Sequence, residues 1–247
     1  MAQWTEGRVV ERIDWTDRLH TLRVEAAIEP FRAGQFTKLG LEIGGEIVGR
    51  PYSIVSAPND PVLEFHFSVV PEGPLSPKLS RLGAGDPVMV APKPNGFLVL
   101  DEVPPATYLW LLATGTGLGP FLSILRTAEP WQRFQRVVLV HAARSAEELT
   151  HRRAIARILE AEPKRFSYIP MISRERADYA LAGRIPAAIA DGRLEARAHL
   201  AIDPALCHVL LCGNPAMLED ATAALAARGL RKHRRKEPGQ ISMESYW

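Results

Sequence analysis

The sequence of 247 residues is poor in cysteine, has no long hydrophobic run and carries a formal net charge of only +2. Its two cysteines, Cys207 and Cys212, are too few to supply the thiolates of an iron–sulfur cluster. The longest apolar runs, near residues 108–113 and 137–140, are far too short to cross a bilayer. The polar N-terminus lacks an apolar signal segment, so we expect a cytoplasmic protein with no membrane partner.

The pattern of apolar residues and turn residues changes shortly after residue 102. Before that point, short runs of period two at 8–13, 20–24 and 63–67 are separated by turn residues, which is typical of a small barrel or sandwich. After it, apolar strands alternate with helices, as in a parallel sheet with helical crossovers. The expected strands are 109–113, 137–140, 168–172 and 209–212, and the expected helices 121–127, 154–160 and 217–227. The sequence therefore predicts two domains, 1–102 and 103–247.

A glycine-rich segment from Gly115 to Pro120 lies between the first strand and the first helix of the second domain. Glycines let the backbone approach a pyrophosphate, and the helix N-terminus offers free N–H groups. A tight strand–helix turn also uses glycine, but the strand–turn–helix context favours a nucleotide.

Basic residues stand where many dinucleotide-binding folds place an acid. That acid follows the second strand and binds the ribose 2′-hydroxyl, but here the strand is followed by Ala143-Arg144. Ser173-Arg174 and Arg184 come at later loop positions. Arginine forks and hydroxyls suit a 2′-phosphate, so the pattern favours NADP over NAD. The alternative is that these are ordinary surface arginines.

The first domain contains a second candidate site, Arg50-Pro51-Tyr52-Ser53. Arginine can pair with a phosphate, tyrosine can stack on a flat ring and serine can hydrogen-bond a ring nitrogen. The alternative is an ordinary strand with Tyr52 in the core. Further along, Ser76 as N-cap and Pro77 as first helical residue predict a short helix whose N-terminus would face a second pyrophosphate.

Three further segments carry candidate functional residues. Cys212-Gly213-Asn214-Pro215 follows the last buried strand, where ligands of parallel sheets bind, although Cys212 also suits a small core position. The chain ends in Tyr246-Trp247, two aromatics that we expect to dock onto a flat surface. The basic run 231–236 is either a solvated segment or a docking patch for an acidic partner. Nucleic acid is not expected as a partner, because no basic face with stacking aromatics accompanies the run.

Together these motifs resemble the ferredoxin/flavodoxin–NADP⁺ reductase family, most closely its bacterial type. The likeness covers residues 4–247, and the motifs follow one another in family order. The resemblance implies a β-barrel FAD-binding domain followed by an α/β parallel-sheet, Rossmann-like NADP-binding domain, whose C-terminal tail returns to the flavin. It also implies a monomer.

The resemblance implies a role for each candidate residue. The FAD contacts would be Arg50, Pro51, Tyr52, Ser53, His66, Pro74, Leu75, Ser76, Thr116, Tyr246 and Trp247. The NADP(H) contacts would be Ala143, Arg144, Ser173, Arg174, Arg184, Gly213, Asn214 and Pro215. The residues near the reacting atoms would be Ser53, Cys212, Glu244 and Tyr246; no metal is expected. His66 stands where the family commonly has another aromatic residue.

The implied activity is electron transfer between NADPH and a one-electron carrier, ferredoxin or flavodoxin, through FAD. One alternative of the same fold is a flavin reductase or the reductase component of an oxygenase. A second alternative is a non-catalytic FAD-binding electron-relay subunit, against which the arginines at 144, 174 and 184 argue.

Overall fold

The structure is a computed structural model that describes residues 3–245 as two packed halves, each built on a six-stranded sheet. The predictions for Tyr246 and Trp247 concern positions outside the described residues. Among residues 3–245, no helix has the length and apolar character that crossing a bilayer requires.

The first half is an antiparallel barrel. Its strands are β1 (Thr5–Asp14), β2 (Leu19–Glu25), β3 (Phe36–Ile43), β4 (Glu46–Ser53), β5 (Leu63–Ser68) and β6 (Pro87–Val90), in the order β4-β3-β6-β1-β2-β5. A bridge between Ile54 and Phe65 joins the end of β4 to β5 and so closes the sheet. A four-residue helix, α1 (Ser76–Leu79), lies between β5 and β6. The barrel alternative in the sequence prediction is therefore confirmed.

The turn between β3 and β4 sets the register of the strand that carries the Arg-Pro-Tyr-Ser motif. Gly44 and Gly45 have φ of 66° and 85°, values that a tight two-residue hairpin loop needs at both central positions. Ile43 is thereby paired with Glu46, and Tyr52 stands opposite Thr37 further along the ladder. The motif is thus part of a regular strand.

The second half is a parallel sheet covered by helices. Its strands are β7 (Tyr108–Thr114), β8 (Arg136–Ala143), β9 (Phe166–Ile172), β10 (Leu181–Ala182), β11 (Cys207–Gly213) and β12 (Ile241–Ser245). Its helices are α2 (Leu118–Leu125), α3 (Glu129–Arg133), α4 (Arg152–Ala161), α5 (Ile185–Ala190), α6 (Arg193–Ala198) and α7 (Pro215–Ala226). The strand order β10-β9-β8-β7-β11-β12 places the reversal of strand order between β7 and β11. A crevice outside the carboxyl ends of these two strands is where such sheets bind ligands.

The connection between the halves belongs to the core of the second half. Leu98, Leu100 and Val103 are buried in the same cluster as Leu109 and Leu111 of β7. The parallel α/β class is confirmed, whereas the boundary at residue 102 stays a prediction.

Strands that lack a clear period-two pattern or apolar run were not predicted from the sequence. Among these, β12 shows the largest difference, because residues 241–245 form an edge strand parallel to β11 where the sequence suggested only a C-terminal tail. The predicted N-cap Ser76 is wrong, because Leu75 occupies the N-cap position and Ser76 is the first helical residue. The Ser76 hydroxyl instead accepts a hydrogen bond from the Val70 amide at 2.9 Å.

Candidate functional site

The glycine-rich segment lies where β7 meets β11. Residues Gly115–Gly117 form one 3-10 turn that leads directly into α2. A Cβ atom on Gly117 would lie 2.3 Å from the Cys212 carbonyl oxygen, and one on Gly213 would lie 2.0 Å from Thr114 Oγ1. Only glycine permits either approach, so these glycines bring the ends of the two strands into contact at the crevice.

A cleft of about 450 Å³ opens at this point. It brings together nearly all the residues predicted to bind NADP, together with one predicted for FAD. These are Thr116, Ala143, Arg144, Ser173, Arg174, Arg184, Gly213 and Asn214. Pro215 does not line the cleft; it begins α7, whose N-cap is Asn214. The Asn214 side chain accepts from the Met217 amide at 2.9 Å, which orders the loop after β11.

The two arginine-bearing loops of the cleft are joined through their backbones. The Ser173 amide donates to the Ala143 carbonyl at 3.1 Å, and the Arg174 amide donates to the Arg144 carbonyl at 2.9 Å. Both arginines are exposed. The cleft therefore presents two adjacent cations on ordered backbone, and Arg184, also exposed, contributes a third from the N-cap of α5.

Glu148 is a cleft residue that the sequence analysis missed. It receives hydrogen bonds from the Arg144 guanidinium and from the Arg144 amide, the latter at 2.9 Å. Burial works to raise the pKa of the Glu148 carboxyl, but the Arg144 hydrogen bonds outweigh it and hold that pKa below its usual value. The same contact raises the pKa of Arg144. The spacing of four residues between the two was the available signal.

On the barrel side, the residues of the Arg-Pro-Tyr-Ser motif differ in exposure. Arg50 is exposed and donates to the Gly49 carbonyl at 2.9 Å. Tyr52 is half-buried, with its ring 5.8 Å from that of Phe67, and burial raises the pKa of Tyr52 to about 12. Ser53 is buried beside α2, since a Cβ atom on Gly119 would lie 3.6 Å from Ser53 Cβ. The motif thus extends from solvent to the glycine-rich loop.

The three residues predicted to approach a second pyrophosphate surround the start of α1. Pro74 is exposed, whereas Leu75 is buried in the barrel core and Ser76 is buried through its contact with Val70. Because the Leu75 side chain packs inward, only its backbone remains for a ligand. Their contacts with FAD stay predictions.

His66 is buried between the barrel and the second half. Its side chain is buried, with Nδ1 3.1 Å from Thr21 Oγ1 and Nε2 3.1 Å from Thr150 Oγ1. Burial lowers the pKa of His66 to about 3, so the ring is neutral. The ring joins the barrel to the second half and does not line the cleft. The contact of His66 with the FAD adenosine half stays a prediction.

Two of the residues expected near the reacting atoms are adjacent in the sheet. Cys212 of β11 is fully buried and stands opposite Glu244 of β12. Glu244 is half-buried, and burial raises the pKa of its carboxyl to about 7. Its Oε2 atom is buried and has no hydrogen-bond partner within residues 3–245. Glu244 can therefore hold a proton near neutral pH.

A second hollow, of about 580 Å³, lies beside Glu244. It is lined by part of the basic run, Lys232 to Arg235, and by the exposed side chains of Phe97 and Met243. Arg235 pairs with Glu102 at 2.8 Å and lies 4.9 Å above the Phe97 ring. Sequence reasoning missed Phe97, which is 65% exposed. The local sequence around an aromatic residue in a turn does not indicate whether its side chain is exposed.

Comparison with known proteins extends this picture. Residues 111–223 match the family described as the oxidoreductase NAD-binding domain. The flavodoxin/ferredoxin–NADP reductase of Escherichia coli (strain K12) is 46% identical, and the match covers 100% of each chain. A cytochrome P450 reductase of Amycolatopsis is 28% identical with a TM-score of 0.79, covering 99% of this chain and 70% of that one.

A ferredoxin–NADP⁺ reductase whose structure holds both expected cofactors has a very similar fold. That protein, from Neisseria gonorrhoeae with bound FAD and NADP, has a TM-score of 0.93 and 32% identity, with 100% of each chain covered. The resemblance drawn from the sequence motifs is confirmed. Since sequence identity reaches 46% over the full length of both chains, this protein belongs to the flavodoxin/ferredoxin–NADP reductase family.

Proposed function

We propose that this protein transfers electrons between NADPH and a one-electron carrier, ferredoxin or flavodoxin, through bound FAD. The observation that carries the proposal is the cleft at the β7–β11 crevice, where the glycine-rich loop meets three arginines. Bound FAD would accept hydride from NADPH and release the electrons singly. The work of the protein is to hold the two rings, exclude water and manage protons and charge.

The cleft suits a 2′-phosphorylated dinucleotide. The residues that end β8 are Ala142 and Ala143, followed by Arg144, so no acidic residue takes the position at the strand end that would bind a ribose 2′-hydroxyl. Arg144 and Arg174 lie side by side, and the Ser173 hydroxyl is nearby on the same loop. Glu148 is engaged by Arg144 and thereby orients one cation. We assign Ala143, Gly213, Asn214 and Pro215 to the remainder of the nucleotide.

The barrel side suits a flavin. The exposed Arg50 would bind a phosphate, the Tyr52 ring would pack on the flavin, and Ser53 would face the reacting edge beside Thr116. The Tyr52 phenol stays neutral because burial raises its pKa to about 12. Glu244 would hold a proton near the rings, and Cys212 would border the nicotinamide.

The hollow beside Glu244 suits an acidic carrier. Lys232 and Arg234 are exposed cations on its rim, and Phe97 and Met243 supply exposed apolar surface at its wall. Arg235 has a different role, because its guanidinium is held by Glu102 and Phe97. Charge complementarity would make association fast and salt-sensitive. We further propose that the protein acts as a cytoplasmic monomer.

A reductase with another electron acceptor is the second candidate. The likeness to the Amycolatopsis cytochrome P450 reductase favours it, since that protein has the same fold and a different partner. The two candidates differ in whether ferredoxin or flavodoxin accelerates turnover above the rate with free flavin.

The purified protein should contain FAD and should oxidise NADPH when a one-electron acceptor is present. FAD is expected because residues 74–76 at the start of α1 would give the pyrophosphate of a second dinucleotide a site separate from the Gly115 loop. Chromatography of the cofactor released by denaturation tests its identity, and steady-state turnover tests the activity. FMN in place of FAD, or no NADPH oxidation, would refute the proposal.

Replacing Arg174 with Ala should weaken NADPH and leave NADH nearly unchanged. One charge-assisted contact contributes about 1.5–3 kcal/mol, so the KM for NADPH should rise at least about tenfold. Arg176→Ala is the matched control, since Arg176 is an exposed arginine of the same loop that does not line the cleft. Equal losses for NADPH and NADH would show that Arg174 only supports the loop.

The double variant Lys232→Gln with Arg234→Gln should have a higher apparent KM for the carrier at low ionic strength. The difference from wild type should shrink as salt screens the charges, while the KM for NADPH stays constant. Arg153→Gln with Arg157→Gln removes the same charge from the exposed face of α4 and serves as control. Unchanged carrier kinetics in the Lys232/Arg234 variant would show that the basic run is a solvated segment and not a docking patch.

Glu244→Gln should change how stability depends on pH. The folded pKa of Glu244 is raised to about 7 from its usual 4.5, so the folded state binds this proton more tightly than the unfolded chain. Stability is therefore lost as pH rises through that window, by up to about 3 kcal/mol. Relative to wild type, the variant should gain stability between about pH 5 and about pH 8. Urea unfolding measures it, with the exposed Glu237→Gln as control; parallel curves for wild type and Glu244→Gln would contradict the assignment.

A further inference from the structure

The short segment that follows β4, residues 54–56, belongs to both halves of the molecule. The Ile54 side chain is fully buried in the barrel core. The next side chain, Val55, is fully buried in the core of the second half, with Leu118 and Leu122 of α2. Successive residues of extended chain point in opposite directions, so this segment packs into both cores at once, directly after Ser53.

The barrel holds this segment through its backbone. The Ile54 amide donates to the Gln35 carbonyl at 3.0 Å, and the Val55 amide donates to the Glu64 carbonyl at 2.8 Å. The Glu64 amide donates to the Ser56 hydroxyl at 3.1 Å. The segment is thereby tied to β5 at the residue whose carboxylate faces the second half.

Helix α2 grips the same segment from the other side. The Ser123 hydroxyl donates to the Ser56 carbonyl at 2.7 Å, and both serines are fully buried. Arg126, at the C-cap of α2, donates to Glu64 Oε2 at 2.7 Å, with the two side chains 22% and 19% exposed. Such a charge-assisted contact between half-buried groups is stronger and more directional than a surface ion pair.

These contacts form a line along one face of α2. Gly119, Ser123 and Arg126 are spaced by four and three residues, which places them on the same side of the helix. Gly119 lies against Ser53 and Val55, Ser123 against Ser56, and Arg126 against Glu64. The helix that begins at the glycine-rich loop is thus fixed to the barrel at both ends.

We propose that Ser123, Arg126 and Glu64 are positioning residues that set the place of the glycine-rich loop relative to Ser53. The inference rests on the proposed function, because the loop would hold NADPH and Ser53 would face the flavin. The two rings are bound by different halves of the molecule, so the distance between them depends on how the halves are joined. A misplacement of about 1 Å can slow such a reaction by about a hundredfold.

The Ser123–Ser56 and Arg126–Glu64 contacts, which join the two halves, are polar and geometrically specific. None of the three residues lines the nucleotide cleft, so their loss should leave NADPH affinity nearly intact. What changes is the alignment of the bound rings, and this appears in the rate of flavin reduction.

The test is single-turnover reduction of the FAD-loaded enzyme at saturating NADPH, followed by stopped-flow absorbance. Arg126→Gln should slow flavin reduction about tenfold and weaken the long-wavelength charge-transfer absorbance, with the Kd for NADPH within about twofold of wild type. Ser123→Ala should slow reduction in the same way, and Arg126→Lys should restore part of the rate because it keeps the charge.

Arg165→Gln is the matched control. Arg165 pairs with Glu162 and donates to the Trp131 carbonyl, so it makes a similar set of contacts wholly within the second half. This variant should lower the melting temperature about as much as Arg126→Gln without changing the reduction rate. Equal slowing by both variants would mean that general loosening, and not position, sets the rate, and would overturn the proposal.

Glu64→Gln combined with Arg126→Gln completes a double-mutant cycle. The double variant should reduce flavin about as slowly as either single variant, because each single variant already breaks the Arg126–Glu64 pair, the shortest ion pair that either residue makes. Multiplying rate losses would show that the residues act separately and would overturn the joint role. If wild type fails to reduce its flavin with NADPH, the proposed function itself fails; if wild type reacts and Arg126→Gln reacts equally fast, only the positioning role fails.

Discussion

The close approach of two strand ends is the constraint on which the rest of the structure depends. Gly117 rests against the carbonyl of Cys212, and Gly213 rests against Thr114, with no room for a Cβ atom at either glycine. This contact fixes the turn from β7 into α2 and hence the direction in which the helix N-terminus points. The cleft, the arginine loops and the carboxyl ends of β11 and β12 are all arranged around it.

Charged and polar groups are arranged differently in the cleft and between the two halves. In the nucleotide cleft, exposed guanidinium groups lie on ordered backbone, and Glu148 restrains Arg144. Between the halves, polar groups are buried and paired, as with Ser123 and Ser56. Glu244 differs from these pairs: its carboxyl lies beside Gly96, and its buried Oε2 atom has no hydrogen-bond partner in the described chain. An unpaired buried carboxyl costs stability unless it is protonated, and burial accordingly raises the pKa of Glu244 to about 7.

The two halves are also joined by a polar aromatic cluster around His66, two residues beyond Glu64 on β5. His66 of the barrel contacts Thr150, and Trp15 packs on His151, with ring centroids 4.8 Å apart. Burial keeps His66 neutral by lowering its pKa to about 3. Together with the α2 contact, this cluster makes the relative placement of the halves a property of buried hydrogen bonds as well as of apolar packing. Exact placement is what a two-ring reaction needs.

The sequence by itself determined the architecture and most of the nucleotide site. Apolar period and turn residues predict a barrel followed by a parallel sheet, and the Gly115 loop with Arg144, Arg174 and Arg184 predicts the cleft that the structure brings together. These are local signals, since each depends on residues near one another in the chain.

The sequence did not reveal that β12 is a strand, that Ser76 binds Val70 or that His66 is buried between the halves. It also did not reveal that Phe97 is exposed beside the basic run or that Glu64 meets Arg126. Only the tertiary structure decided these, because each depends on contacts between segments far apart in the chain, which no local pattern encodes.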